Sequence, residues 1–261
     1  MVRGMVREAA AAGAGFVLTP EVTNCISLDR DHQAKVLTEE KSDPVLRVLR
    51  EEAAAQNVWI SVGSVGLLAG HADGRYANRS VLIGPDGGIR ARYNKIHMFD
   101  VNISEAETFR ESAAYKPGER AVVFDTPFGR IGMTICYDLR FPHLHRALAQ
   151  AGADILLCPA AFSPVSGAAH WETLLRARAI ETGAYVLAAA QTGEHPSSTG
   201  KTRKTYGHSL AVSPWGEVLA DAGTDPGIVY VEIDPAEVAK ARKRIPSLQH
   251  DRPFSGPEAD E

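Results

Sequence analysis

In the stretch RIGMTICYDLRFPHL, residues 130–144, an apolar run from Ile131 to Ile135 ends on Cys136, with Tyr137, Asp138 and Arg140 crowded behind it. A strand-to-helix turn of this kind lifts a side chain out of its sheet and offers the following backbone N–H groups to an anion. That placement suits a nucleophile. A thiol of ordinary pKa, about 8.5, is only a few per cent ionised at neutral pH, so a nucleophilic cysteine needs a base beside it. The other two cysteines differ: Cys158, within ILLCPAAF, reads as a buried strand thiol, and Cys25 lies in a loop with no obvious partner.

Histidine is the usual base for a cysteine, and the chain has nine. His143 and His145 are two apart in a helical segment, so they face different ways and form neither a metal pair nor a relay. His170, His208 and His250 belong to other elements, and none stands out. A carboxylate is the alternative. Glu21 ends the apolar segment FVLTPE, where an acid has no packing role; Lys95 sits in RYNKIHMFD and Glu111 in FRESAAYKPG. Taken singly, each of the three also fits a solvated strand end, cap or loop.

These residues must be held by a framework of alternating elements. Residues 1–12 carry a helical stripe of Val2, Met5, Val6 and Ala9, and 16–21 read as a short strand. A second helix over 42–58 takes Ser42 as its cap, with Pro44 in its first turn. WISVGSVGLL is a strand, and 79–95 a hairpin around PDGG. AVVFDT and RIGMTIC form another pair about PFG. Pro142 starts a helix to Ala151, DILLCP is a strand, AAHWETLLRARAIETG a helix and YVLAAAQ a strand. A hairpin over 208–222, a strand IVYVEI and a basic helix at 235–244 follow. This pattern predicts an α/β layered protein with sheets of mixed direction. AGAGFVLTPE resembles AGADILLCPA, and SVLIGPDGGI resembles SLAVSPWGEV in the same order, which suggests two equivalent halves.

A net charge of −4 supplies no basic field for nucleic acid or an anionic membrane, and no apolar run reaches the length of a membrane span. Three scattered cysteines fit a reducing compartment, and no secretory leader opens the sequence, so a cytoplasmic location is expected. One domain over 1–254 and an acidic, disordered tail at 255–261 are expected as well.

Taken together, Glu21 after TP, Lys95 in YNKIHMFD, Glu111 in FRES…KPG and Cys136 in CYDLRFP resemble the nitrilase superfamily of carbon–nitrogen hydrolases. HWETLLRARAIETGAYVLAAAQ and YGHSLAVSPWGEVLA look most like its deaminated glutathione amidase branch, with the ω-amidase branch near. The resemblance implies a four-layer α-β-β-α sandwich, dimerised through helices, and a Glu-Lys-Cys triad mapping onto Glu21, Lys95 and Cys136, supported by Glu111. It implies attack of Cys136 on a small linear amide and a thioester intermediate. The oxyanion is held by Lys95 and the backbone N–H of Tyr137, and no metal or organic cofactor takes part. For the substrate's carboxylates, the candidates are Lys201, Arg203 and Lys204 in GKTRKTYGHS and Arg176 or Arg178 in the long helix. His170 and Trp171 are candidates to line the pocket. The alternatives are an ω-amidase acting on 2-oxoglutaramate, a true nitrilase, and a non-catalytic binding homologue. Members normally open with a strand before the first helix, whereas here Met1 already lies in that helix, so the first strand is expected to be missing.

Overall fold

Val6 and Ala9 are the buried positions of helix α1 (Val2–Ala11), and they define which way it faces. The computed structural model describes residues 1–103, 108–196 and 202–256. After α1 come β1 (Phe16–Leu18), α2 (Arg30–Val36), α3 (Pro44–Gln56), β2 (Trp59–Leu68), β3 (Tyr76–Ile83) and β4 (Ile89–Asn94). Strands β1 to β4 form one sheet in that order, β1 and β2 parallel and the rest antiparallel. A short hairpin follows, β5 (Asp100–Asn102) and β6 (Thr108–Arg110).

The second half runs β7 (Val122–Thr126), β8 (Gly129–Met133), α4 (Pro142–Gln150), β9 (Ile155–Leu157), α5 (Pro164–Thr182) and β10 (Tyr185–Ala188). It continues with the hairpin β11 (Thr192–His195) and β12 (Arg203–Tyr206), then β13 (Leu210–Val212), β14 (Val218–Asp221) and α6 (Pro235–Arg244). Its sheet has the order β14-β13-β10-β9-β8-β7.

Alternation along the strands sorts side chains between two cores. Val62, Val65, Val81 and Ile83 pack with Val6, Leu46, Leu49 and Ala53 of helices α1 and α3. Leu82, Ala91 and Tyr93 of the same sheet instead join the core of the second sheet, together with Leu148 of α4 and Leu175 of α5. The sheets therefore meet face to face, and aromatic pairs stitch them: Phe16 stacks on Phe128 at 5.6 Å, and Trp59 tilts against Phe124 at 6.4 Å.

The suspected duplication has a structural counterpart. β1, β2, β3 and β4 have the same relative directions as β9, β10, β13 and β14. α3 ends on Asn57 in the left-handed region at φ 55°, and α5 ends on Gly183 at φ 56°. Beyond β9 the second sheet continues into β8 and β7, whereas β1 is an edge strand.

Three expectations need correction. Asp43, not Ser42, caps α3, its carboxylate accepting from the Leu46 N–H at 2.8 Å; Ser42 belongs to a preceding 3-10 turn. Segment 228–233 forms no strand among the described residues; it keeps the alternation, with Val231 and Ile233 packed on the core, but finds no neighbouring ladder. The helix expected from Ala168 begins one turn earlier, at Pro164. Most of the acidic tail, 257–261, lies outside the described residues.

Gly63 in β2 is where the halves touch. A Cβ there would stand 2.0 Å from the Thr19 carbonyl oxygen and 2.5 Å from Cβ of Pro159, the prolines after β1 and β9 being the paired positions of the repeat. Gly63→Ala is expected to cost about 1–3 kcal/mol by overpacking. Gly4→Ala in α1, with nothing within 4 Å of the added atom, should instead stabilise by about 0.5–1 kcal/mol. Thermal unfolding of both variants checks this, and a Gly63→Ala melting temperature at or above wild type would refute the contact.

Candidate active site

Four sequence positions far apart in the chain converge. Glu21 follows β1, Lys95 follows β4, Glu111 begins the turn after β6, and Cys136 follows β8; all four line one cavity of about 350 Å³. That size lies within the range of about 300–1,000 Å³ typical of small-ligand sites. Cys136 occupies the left-handed region at φ 49°, as does Val22 directly after Glu21. For residues with a Cβ this is a costly conformation that only a well-packed surround maintains.

The ammonium of Lys95 is 2% exposed and carries three contacts: Glu21 Oε1 at 2.9 Å and both oxygens of Glu111 at 2.9 and 2.8 Å. Glu21 is fixed at both oxygens, since Oε1 also accepts from Asn78 Nδ2 at 2.9 Å and Oε2 accepts from the Ala161 N–H at 2.9 Å. Glu111 is steadied by the Phe99 N–H at 2.7 Å. Tyr137 is the second residue of the 3-10 turn 136–140, so its N–H has no acceptor within that turn.

A family model described as carbon–nitrogen hydrolase matches residues 2–243. The chain belongs to that family. A protein of Yersinia enterocolitica named deaminated glutathione amidase is 43% identical over 92% of this chain and 83% of its own length. The omega-amidase of Homo sapiens is 38% identical over 95% of this chain and 86% of its own. The NitFhit protein of C. elegans superposes with a TM-score of 0.86 at 38% identity, covering 96% of this chain; the chain spans 60% of that longer protein.

In this carbon–nitrogen hydrolase the charges set one another. Burial works against the Lys95 charge, but the carboxylates of Glu111 and Glu21 overcome it and hold its pKa well above the ordinary value. Burial also opposes ionisation of Glu21, and Lys95 overrides it, leaving that carboxyl below its ordinary range. Cys136 goes the other way: burial, then the Glu21 charge, push its thiol well up, with only partial relief from Lys95. Around Lys95 itself two carboxylates meet one ammonium, and a Cys136 thiolate would add a further negative group to that buried cluster. The resting group is therefore a neutral thiol beside an ionised base. Among the described residues no cluster of three or more His, Cys, Asp or Glu is arranged to hold a metal.

Among the described residues expected at the substrate end, only Arg203 lines the cavity. Trp171 is 1% exposed, packed on Phe162 with its indole N–H on the His208 carbonyl. Arg178 is buried between the Leu139 carbonyl and Glu181, and His170 lies at the surface beside Arg140. The stripe of α5 that carries Trp171, Leu175 and Arg178 faces the core, so neither Trp171 nor Arg178 reaches the pocket, and the exposed His170 does not line it either. Arg176 and Lys204 pair with Glu172 and Glu194, and Lys201 lies outside the described residues.

The residue that the sequence underrated is Asp138. Its fully buried carboxylate accepts from the Ile135 N–H at 2.9 Å and the Tyr93 hydroxyl at 2.6 Å through Oδ2. Oδ1 takes the His97 N–H at 3.0 Å and His97 Nδ1 at 2.7 Å. Because an ionised carboxylate only accepts, Nδ1 of His97 carries the proton. Tyr93 and His97 flank Lys95, and Ile135 precedes Cys136, so one side chain clamps the two strand ends together. Asp138→Asn turns one accepting oxygen into a donor facing donors and is expected to cost about 2–4 kcal/mol. Its kcat should fall further than the folded fraction does. Denaturant melts and active-site titration on one preparation would measure both, and an unchanged midpoint would remove the clamp.

Proposed function

We propose that this carbon–nitrogen hydrolase is a thiol-dependent amidase acting on deaminated glutathione, releasing 2-oxoglutarate and Cys-Gly. Glu21 removes the proton of the Cys136 thiol as sulfur attacks the amide carbonyl carbon, and the carbonyl electron pair moves to oxygen. Lys95 and the Tyr137 N–H receive that oxyanion. As it collapses, the C–N bond breaks, and Glu21 returns its proton to the leaving amine, leaving a thioester. Water then loses a proton to Glu21 and adds to the thioester; collapse expels sulfur, which recovers the proton, and frees the acid. Glu111 holds Lys95 in place throughout, and Arg203 takes the carboxylate beside the 2-oxo group.

The observation that carries this reading is Glu21, held at both oxygens and lining one cavity with the Cys136 thiol. An acid–base group of this kind contributes about 10²–10⁴ in rate. The deaminated glutathione amidase relative supports the substrate. The omega-amidase relative supports a second reading, hydrolysis of 2-oxoglutaramate by the same steps. Side-by-side turnover of the two amides decides between them, and Cys136→Ala should abolish either. In kcat/KM, activity should hold through neutral pH and fall only as pH drops through the depressed pKa of Glu21, below its ordinary 4.5, where the base becomes protonated. A folded Cys136→Ala variant with wild-type turnover would end the mechanism.

We also infer a homodimer in the cytoplasm. No helix among the described residues is long and apolar enough to cross a membrane. Ile180, Trp215 and Ile245 form an exposed apolar group around α5, α6 and the β13–β14 turn. An apolar surface of this kind marks an association site. Light scattering should give twice the chain mass, and Ile180→Asp should shift it toward one; a wild-type monomer at micromolar concentration would contradict the inference.

A further inference from the structure

Three cations besides Lys95 line the cavity: Arg30, Arg110 and Arg203. Many arginines of this protein sit in ion pairs, among them Arg7, Arg79, Arg92 and Arg130. Among the described residues, no carboxylate pairs with the three at the cavity. Arg203 donates to the Ala161 carbonyl at 3.2 Å and Arg30 to the Ala113 carbonyl at 2.9 Å. Arg110 donates to the carbonyls of Val101 and Phe109 and to Asn102 Oδ1. Asp100, the acid that senses Arg110, has an oxygen committed to the Ser112 N–H at 3.0 Å. Neutral acceptors aim a guanidinium without cancelling its charge. Among the described residues, four positive side chains stand against Glu21 and Glu111 in the lining.

The cations differ in depth: Arg203 is half-buried, whereas Arg30 and Arg110 are exposed. Arg203 belongs with Glu21: it reaches Ala161, whose N–H holds that carboxylate, and its charge is felt by Glu21. Arg110 directly precedes Glu111, and Arg30 is anchored two residues beyond it at Ala113.

We propose that Arg30 and Arg110 form a rim site selecting amides whose leaving amine carries a carboxylate. The inference rests on the amidase reading above, and it extends that reading to the departing half of the substrate. A dianionic linear amide then spans the cavity, with one carboxylate at Arg203 and the other at the rim, and its carbonyl at Cys136. A monoanionic primary amide has nothing for the rim to hold. Both rim guanidinium groups belong to exposed residues, so their attraction is screened by salt.

The test compares deaminated glutathione with the analogue in which only the glycine carboxylate becomes a carboxamide, using the full chain. The acid is expected to exceed the carboxamide by about tenfold to hundredfold in kcat/KM, chiefly through KM. The ratio should shrink as ionic strength rises, and in Arg30→Gln and Arg110→Gln it should move toward one. Equal kcat/KM for the two compounds in the wild type, or variants that keep the wild-type ratio, would overturn the rim site while leaving the amidase reading standing. A folded wild type that hydrolyses neither compound would overturn both.

Discussion

An ammonium group shut away from water stays charged only if carboxylates come to it, and at Lys95 two do. Glu21 arrives from the end of β1, Glu111 from the turn after β6, and Lys95 itself from the end of β4. Removing one charged partner would leave a buried ion uncompensated, which costs far more than a surface pair returns. Three separate backbone segments are thereby fixed in one place. The oxygen of Glu21 that faces away from Lys95 is held by a backbone N–H of the second half, so the arrangement extends across the sheets. The depressed pKa of Glu21 follows from Lys95 overriding burial, while the thiol of Cys136 is raised by its burial and then by the Glu21 charge.

Taken singly, Glu21, Lys95 and Glu111 fit an ordinary strand end, cap or loop; they became legible as candidates together, through the ordered motifs that resemble the carbon–nitrogen hydrolases, while Cys136 stood out by the charges behind it. The long strands and most helices were legible through sustained period and Pro or Gly punctuation. What escaped was short or decided by a single helical face. α2 and the β5–β6 hairpin have too few residues to show a period, yet they carry Arg30 and Arg110. Arg178 and Trp171 looked like pocket residues by type, but their position on α5 turns them to the core, where Arg178 satisfies the Leu139 carbonyl. Asn78 is buried in β3, and its role appears only when Glu21 and Glu111 are seen on either side of its amide.

The repeat explains why one site, and not two, is built. At equivalent places after β1 and β9 the chain has Glu21 and Ala160. The first half keeps the acid; the second has a small residue there and, one position on, lends the Ala161 backbone N–H to that acid. The nucleophile comes from β8, which has no counterpart in the first sheet among the described residues. Similar frameworks thus carry different side chains where they face each other.

Gly63 gives that seam a mechanical meaning. With backbone and proline ring against its bare Cα, the sheets are in register by direct contact and not by a flexible side chain. Glu21 rides on one sheet and Cys136 on the other. Sliding one sheet over the other would leave the ladders within each intact while changing the separation of base and nucleophile. Chemistry in this protein is therefore a gauge of the alignment between its halves, finer than any measure of whether each half is folded.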